Sequence, residues 1–253
     1  MKRTIFCLIM LSLTANLNAS VIVIGDLLRE REVNPSDKYH EEILLRNTSD
    51  NAEEVSIFIT GYKTLADGQA FFDKQPGLRS NASWISLNGQ RFLIPAKSLV
   101  KIDLKISVPN RPLEGSFWSC IMVENAPAKT GGGTVVIDIV NRYAIQVVTH
   151  IAKTGSKAID FLKTSFNPEN KILACDVENT GTRHFRALLW AEIRTGNKRP
   201  IRFLSPMKSL YPGSSVRYSL ELPDLKPGKY LARLFIDSGH EGERWSKELW
   251  LSF

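Results

Sequence analysis

Few residues in this chain have types and spacing that could support catalysis or metal binding. The four histidines, His40, His150, His184 and His240, are far apart in the sequence and lack the HExxH or C-x-x-C companions of familiar metal sites. We therefore expect them to be exposed or to make single structural hydrogen bonds, and we expect no metal site and no cofactor. The sequence contains no G-x-S-x-G nucleophile elbow and no G-x-x-x-x-G-K phosphate loop. The sequence therefore predicts a protein that is not an enzyme, because no motif indicates the catalytic cleft that a hydrolase would need.

The thiol groups offer one further kind of chemistry. Cys120 and Cys175 each lie inside an apolar run, and we place the two runs in different domains. An exported protein with two cysteines could form one disulfide between them. Burial as two unpaired thiols is the interpretation that the apolar neighbours favour.

The first residues of the chain have the layout of a secretory signal peptide. Lys2 and Arg3 precede an apolar run over residues 5–13, and small and polar residues follow it. This pattern predicts cleavage after Ala19, so residues 1–19 are interpreted as a signal peptide. The remaining chain is expected to be exported, with the periplasm as the favoured location and the cell surface or extracellular space as alternatives.

The elements that must position these residues are short β-strands. Apolar and polar residues alternate over several segments bounded by turn residues, which is typical of half-buried strands: residues 42–47, 54–60, 100–108, 135–147 and 230–237. No sustained helical stripe is found after residue 19. The sequence therefore predicts an all-β fold.

A loose internal repeat divides the chain in two. In the first half, a strand ends at Asn47, a turn follows at Pro95 and another strand begins after Gly115. The same three features recur in the second half at Asn179, Pro212 and Gly228. This order is similar to that of immunoglobulin-like domains, in which a tyrosine corresponding to Tyr230 ties one connection. We predict two consecutive immunoglobulin-like β-sandwiches, residues 20–152 and residues 153–253, joined by the short polar segment 152–156.

The positive charge is concentrated in the second predicted sandwich. The chain has a formal net charge of +7, and residues 153–253 carry 17 basic and 11 acidic residues. A cluster around one turn contains Arg194, Lys198, Arg199 and Arg202. It could meet an anionic partner, but a solvated hairpin is the favoured interpretation. Because no aromatic residues are interleaved with the basic ones, nucleic acid is not an expected partner.

The first predicted sandwich resembles the N-terminal domain of the periplasmic pilus-assembly chaperone superfamily, and it is also similar to immunoglobulin-like domains of bacterial cell-surface proteins. The resemblance is carried by the spacing of Trp, Pro and Gly and by the strand pattern in four segments: residues 84–87, 92–95, 115–123 and 134–148. It implies a chaperone-like factor that assembles surface or pilus subunits by β-strand addition. The protein partners implied are subunits of the cell envelope or of pili.

The same resemblance implies which residues contact the partner. The long final strand of the first domain would offer alternating apolar side chains, here Val135, Ile137, Ile139, Tyr143, Ile145 and Val147. An anchoring pair of cations would bind a partner's terminal carboxylate, with Arg29 or Arg31 in the first strand and Arg142 in the last. The alternative for the long strand is an ordinary closing strand that packs on its own domain.

A second function remains open at this point. The chain could be a structural or adhesive module of the cell envelope that binds protein or glycan through its loops. Phe71 and Phe72 are the candidate loop aromatics for this role, although they could equally belong to the core.

Overall fold

The computed structural model describes residues 20–74, 77–125, 128–130, 137–194, 200–239 and 243–253. Within these residues, the first half of the chain contains a short 3-10 helix, Ala82–Trp84, and thirteen strands: β1 (Val21–Ile24), β2 (Leu28–Val33), β3 (Lys38–Asn47), β4 (Glu53–Thr60), β5 (Lys63–Thr64), β6 (Ala70–Phe71), β7 (Ile85–Leu87), β8 (Arg91–Ile94), β9 (Leu99–Ser107), β10 (Ser116–Asn125), β11 (Ala128–Thr130), β12 (Ile137–Ile139) and β13 (Arg142–Ile151). The second half forms eight more: β14 (Ile159–Asn167), β15 (Ile172–Asn179), β16 (Phe185–Ile193), β17 (Ile201–Leu204), β18 (Lys208–Leu210), β19 (Ser215–Glu221), β20 (Lys229–Asp237) and β21 (Arg244–Ser252).

The first sandwich consists of two sheets with strand orders β1-β3-β9-β7 and β2-β13-β10-β4-β8. Strands β5 and β6 pair with each other, as do β11 and β12. The alternating residues of the facing sheets meet in one apolar core, to which Ile43 and Leu104 contribute from the first sheet and Ile57 and Ile121 from the second. Burial of these aliphatic side chains supplies the main stabilisation of the unit.

The second sandwich repeats this plan with fewer strands. Its sheets have the orders β14-β15-β19 and β17-β16-β20-β21, and β18 pairs with the end of β16. A separate core forms between them, with Leu173 and Leu220 on one side and Leu189 and Leu234 on the other. Tyr230 donates a hydrogen bond of 2.8 Å from its hydroxyl to the carbonyl of Lys226, as expected for a tyrosine that ties the preceding connection.

The all-β fold of two sandwiches is therefore confirmed. The strands of the first sandwich end at Ile151 and those of the second begin at Ile159, and we propose the predicted division into residues 20–152 and 153–253 on that basis.

Cys120 and Cys175 are buried and unpaired. Within the described ranges, no helix is long and apolar enough to cross a membrane. The predicted signal peptide, residues 1–19, lies outside the described residues, as do Lys198, Arg199 and His240.

The first strand segment belongs to both sheets of the first sandwich. β1 pairs antiparallel with β3, whereas β2, a few residues later, pairs parallel with β13 in the opposite sheet. The chain crosses between the sheets at Gly25, which has a φ of 94°. That backbone conformation is accessible to glycine at little cost and is rare for other residues.

The long final strand predicted for residues 134–148 is wrong as a single element. β12 ends at Ile139 and β13 begins at Arg142, so the extended backbone is interrupted at Val140 and Asn141. β12 pairs with β11 rather than with the sheet that holds β13. Asn141 puts a polar residue at a position of the apolar series, between Ile139 and Tyr143, and this departure from the alternation was the sign of the break that the sequence carried.

Candidate functional site

The strand predicted to bind a partner has one open side over its first residues. β10 pairs with β13 from Arg142 to His150, whereas β2 joins the other side of β13 only from Gln146 onward. In the part of the chain that the structure describes, no strand pairs with this outer side of residues 142–145. Such an edge offers main-chain donors and acceptors to an added strand.

The direction of the main-chain groups along this edge follows from the neighbouring pairing. The amide of Gln146 donates to the carbonyl of Leu27 at 2.7 Å, so the main-chain groups of Gln146 point toward β2. Main-chain groups of alternate residues in a strand point to the same side. The N–H and C=O groups of Ala144 and Arg142 therefore face the open edge.

The side chains of the predicted apolar series separate into two groups. Ile145 and Val147 are fully buried in the core of their own sandwich, and Tyr143 packs against that core. For these residues the structure matches the alternative of an ordinary closing strand. Ile137 and Ile139 lie in β12, upstream of the interruption, and their side chains are outside the described part of the chain, as is the whole of Val135.

The three predicted cations are not brought together. Arg142 forms an ion pair with Glu124, the cross-strand neighbour on β10. Arg31 forms an ion pair of 3.3 Å with Glu41. In the parallel pairing of β2 with β13, Arg29 lies opposite Val147 and Arg31 opposite Thr149. At a rise of about 3.3 Å per residue, these positions are roughly 17 and 23 Å along the strand from Arg142.

Arg29 occupies a different environment from the other two arginines. Its Nε atom is buried and has no hydrogen-bond partner. Its guanidinium group lies close to Gly25, where an added Cβ would be 3.3 Å from one terminal nitrogen. The side chain is thus held beside the crossing between the sheets.

The two sandwiches meet through an aromatic contact on the outer face of β10 and β13. Trp118 and Val148 form a small buried cluster with Tyr211, which comes from the second sandwich. The ring centroids of Trp118 and Tyr211 are 5.2 Å apart. The indole nitrogen of Trp118 donates to the carbonyl of Tyr62 at 2.7 Å, and the hydroxyl of Tyr211 donates to the side-chain oxygen of Gln146. Because each polar tip has a partner, the rings can be buried without an unsatisfied group.

A cavity of about 660 Å³ opens beside this aromatic contact, between the two sandwiches. Its walls include Tyr62, Phe71, Arg79 and Trp118 from the first sandwich and Pro212 from the second. Of the aromatics named from the sequence, Phe71 lines the cavity and Phe72 packs against Tyr62, with ring centroids 5.3 Å apart. Phe71 is 45% and Phe72 39% exposed, so neither belongs to the core. A cavity of this size with an aromatic wall and a few polar groups is suited to binding a small ligand or a side chain.

A cluster of ionisable side chains lies on the same joint. Glu30 on β2 and His150 on β13 share one face of their sheet, and His184 approaches from the residue before β16. The Glu30 Oε1 atom is 3.3 Å from His150 Nε2 and 3.0 Å from His184 Nδ1. Ser116, opposite His150 on β10, has its hydroxyl 2.8 Å from His150 Nδ1 and accepts the main-chain N–H of His184 at 2.8 Å.

The surroundings set the charge of this cluster. Hydrogen bonding to His150, with the His184 imidazole close by, holds the pKa of the Glu30 carboxyl well below its ordinary value, so this group is an anion at neutral pH. Burial lowers the pKa of His184, whose side chain has no exposed surface, and so favours the neutral imidazole. The arrangement is a carboxylate with two imidazoles.

The prediction that each histidine is exposed or makes a single structural hydrogen bond is therefore wrong for His150, which contacts both Ser116 and Glu30, and for His184, which is buried beside Glu30. Their separation in the sequence concealed a contact that depends on the parallel register of β2 with β13 and on the docking of the second sandwich. The one available signal was the position of His150, two residues before the predicted joint at residues 152–156.

No known protein family matches the sequence, and no curated protein matches it. Among solved structures, the chain is similar to one from the chaperone–tip adhesin complex of CFA/I fimbriae, with a TM-score of 0.49 and 14% identity over 92% of this chain and 98% of that one. It is also similar to the YadV chaperone, with a TM-score of 0.47 and 11% identity over 92% of this chain and 100% of that one. A third is from a complex of the Salmonella enterica SafA pilin with the SafB chaperone, with a TM-score of 0.46 and 14% identity over 91% and 96% of the two chains.

Proposed function

We propose that this chain is an exported, non-enzymatic, chaperone-like protein that captures a surface or pilus subunit by β-strand addition. The observation that carries the proposal is the open side of β13 over residues 142–145, next to an apolar segment that continues upstream to Val135. A strand from the partner would pair with the main-chain groups of Ala144 and Arg142. The periplasm is the proposed location, because the N-terminal residues have the pattern of a signal peptide.

The partner's incomplete core would receive side chains from the segment upstream of β13. We assign this role to Val135, Ile137 and Ile139, since Ile145 and Val147 are already buried in their own sandwich. Tyr143 and Arg142 would border the added strand. Arg29 and Arg31 stay candidate contacts for the partner. Each would contact it separately, because neither lies close enough to Arg142 to bind the same carboxylate.

The proposal predicts that Ala144→Pro abolishes capture of the partner while leaving the protein folded. Proline removes an N–H that faces the open edge, and it deletes no hydrogen bond of the protein's own sheet. The Ile137→Asn/Ile139→Asn double variant should also lose the partner, because polar side chains cannot fill an apolar groove. The measurement is co-purification of envelope proteins with each tagged variant from its own host, identified by mass spectrometry.

The matched controls are Ala144→Ser, which keeps the N–H, and Ile201→Asn, which makes the same polar change on an exposed strand of the second sandwich. Both should capture the partner as the wild type does. Equal capture by wild type, Ala144→Pro and the double variant would refute strand addition at this edge. The fold of each variant is checked by circular dichroism and thermal unfolding.

The exposed aromatics beside the cavity favour a second candidate function, that of an adhesive envelope module binding through its loops. Phe71 lines a cavity that a glycan or a peptide side chain would fit, and Phe72 packs against Tyr62 in the wall of that cavity. The same experiment separates the two functions, because binding through this loop would survive Ala144→Pro.

A further inference from the structure

The cluster at the joint has the donor set of a metal site. One nitrogen from each of His150 and His184 and one carboxylate oxygen of Glu30 lie within 4.8 Å of one another. A four-coordinate zinc ion with bonds of about 2.0–2.2 Å would need only a small closure of these three side chains. Two imidazoles and one carboxylate with a further open position form a donor set that binds zinc and similar divalent ions.

The environment of His184 is independent evidence that the cluster binds a ligand. Its side chain is completely buried, yet neither ring nitrogen makes a hydrogen bond of acceptable geometry. The Nδ1 atom lies 3.0 Å from Glu30 Oε1, but the ring is not aligned for donation to that oxygen. A buried imidazole without a hydrogen-bond partner costs free energy, and an ion bound at Nδ1 would supply one of the two missing interactions.

The surrounding contacts orient the imidazole of His150 for binding a metal ion. His150 Nδ1 lies 2.8 Å from the Ser116 hydroxyl, which leaves Nε2 directed toward Glu30. Metal-binding histidines typically donate their second ring N–H to a neighbouring oxygen, and this bond fixes the tautomer and the ring orientation. Ser116 also accepts the main-chain N–H of His184, so one hydroxyl positions both histidines.

The cluster is accessible to an ion from solvent. The side chain of Glu30 is 34% exposed and that of His150 is 12% exposed, so a path leads from the surface to the ligand atoms. The exposed side of the carboxylate also leaves room for a water molecule as the fourth ligand.

We propose that Glu30, His150 and His184 bind one divalent transition-metal ion, with Zn²⁺ as the representative case, and that this ion bridges the two sandwiches. Glu30 and His150 belong to the first sandwich and His184 to the second, so the ion would fix their relative orientation. The proposal does not depend on strand addition, and either can fail without the other.

The test uses the full exported chain, purified without a histidine tag and stripped with EDTA. Calorimetric titration with ZnCl₂ should show one ion per chain, and Co²⁺ should give the visible absorption of a four- or five-coordinate site. Glu30→Gln and His150→Gln should each weaken Zn²⁺ binding at least tenfold, whereas His40→Gln, a change at an exposed histidine elsewhere, should leave the affinity unchanged. Zn²⁺ should raise the thermal midpoint of the wild type and not that of Glu30→Gln, since a ligand that binds only the folded state stabilises it.

Two results would overturn the proposal. In one, the wild type binds no stoichiometric Zn²⁺. In the other, Glu30→Gln and His150→Gln both bind the ion as tightly as the wild type, which would place it elsewhere on the chain. Glu30→Gln preserves the size and hydrogen-bonding reach of a partly exposed side chain, so a loss of binding with an unchanged circular dichroism spectrum reports on the site and not on unfolding.

Discussion

The two thiols show how position within a strand decides the chemistry of a side chain. Cys120 lies on β10 and Cys175 on β15, each with a neighbouring strand on both sides. Burial raises the pKa of Cys120 to about 12 and that of Cys175 to about 11. The thiolate is the reactive form of cysteine, so neither group is nucleophilic at neutral pH while the protein is folded.

We therefore predict that neither Cys120 nor Cys175 reacts with a maleimide or an aromatic disulfide reagent at pH 8 in the native state. In denaturant without reductant, mass spectrometry should show one label on each of these cysteines, because they are not bonded to each other. Rapid labelling of either residue in the native state would contradict this prediction. Absence of both labels after unfolding would indicate a disulfide.

For single residues, the sequence predicted burial but did not predict which side chains contact one another. The apolar neighbours of Cys120 and Cys175 were enough to predict buried thiols. The association of Glu30 with His150 and His184 could not be predicted, because it depends on which strand pairs with β2 and in which register. A charged residue in an exposed strand has the same local sequence whether or not two imidazoles approach it.

At the scale of elements, the joint is notable for backbone contacts that leave no room for side chains. Gly155 has a φ of 79°, and a Cβ on it would lie 2.5 Å from the Cα of Gly115. Gly115 in turn packs against the carbonyl of Thr182 in the second sandwich. The amide of Ser116 donates to that same carbonyl at 2.9 Å. The chain segments on either side of the joint are therefore in direct main-chain contact.

Gly155→Ala should destabilise the protein by about 2–5 kcal/mol, since it adds a steric clash to an unfavourable backbone conformation. Gly213→Ala is the matched control, because Gly213 has a φ of 68° but nothing within 4 Å of the added Cβ. The Gly213→Ala variant should lose only about 1–2 kcal/mol of stability, because the positive φ is the one unfavourable feature. Urea unfolding of both variants measures the difference, and equal costs would show that the packing at the joint is loose.

The elements themselves were predicted with uneven success, and the reasons are physical. Alternation identified most strands because one face of each is buried, as in β9, where Ile102, Leu104 and Ile106 are buried and their neighbours are exposed. The same rule merged β12 with β13, because the apolar series resumes at Tyr143 after the single polar residue Asn141. Sequence periodicity reports which face is buried, and it does not report which strand is the partner.

The whole molecule should behave as one unit because the sandwiches share a buried contact. Tyr211 is inserted against Trp118 and Val148, and Arg183 donates to the carbonyl of Thr154 at 2.9 Å. Arg183 also forms an ion pair of 3.4 Å with Glu32 on β2. Contacts of this kind couple the unfolding of two neighbouring domains when they are dry and well packed.

We predict a single calorimetric unfolding transition for the wild type, with equal calorimetric and van't Hoff enthalpies. The Tyr211→Ser variant should lose the shared contact and show two transitions, or a calorimetric enthalpy larger than the van't Hoff value. Limited proteolysis should spare residues 152–156 in the wild type and cleave there in the variant. Two transitions in the wild type would show that the sandwiches unfold independently.

The parallel pairing of β2 with β13 has a mechanical consequence. β2 follows the N-terminal segment, and β13 leads into the second sandwich in the same direction. Tension applied between the two ends of the chain would pull β2 and β13 past each other along their lengths. The six residue pairs from Gln146–Leu28 to Ile151–Val33 would then carry the load together, in shear, instead of opening one after another. Resistance to forced unfolding is a matter of the unfolding rate rather than of equilibrium stability, and this geometry raises the force needed to reach a given rate.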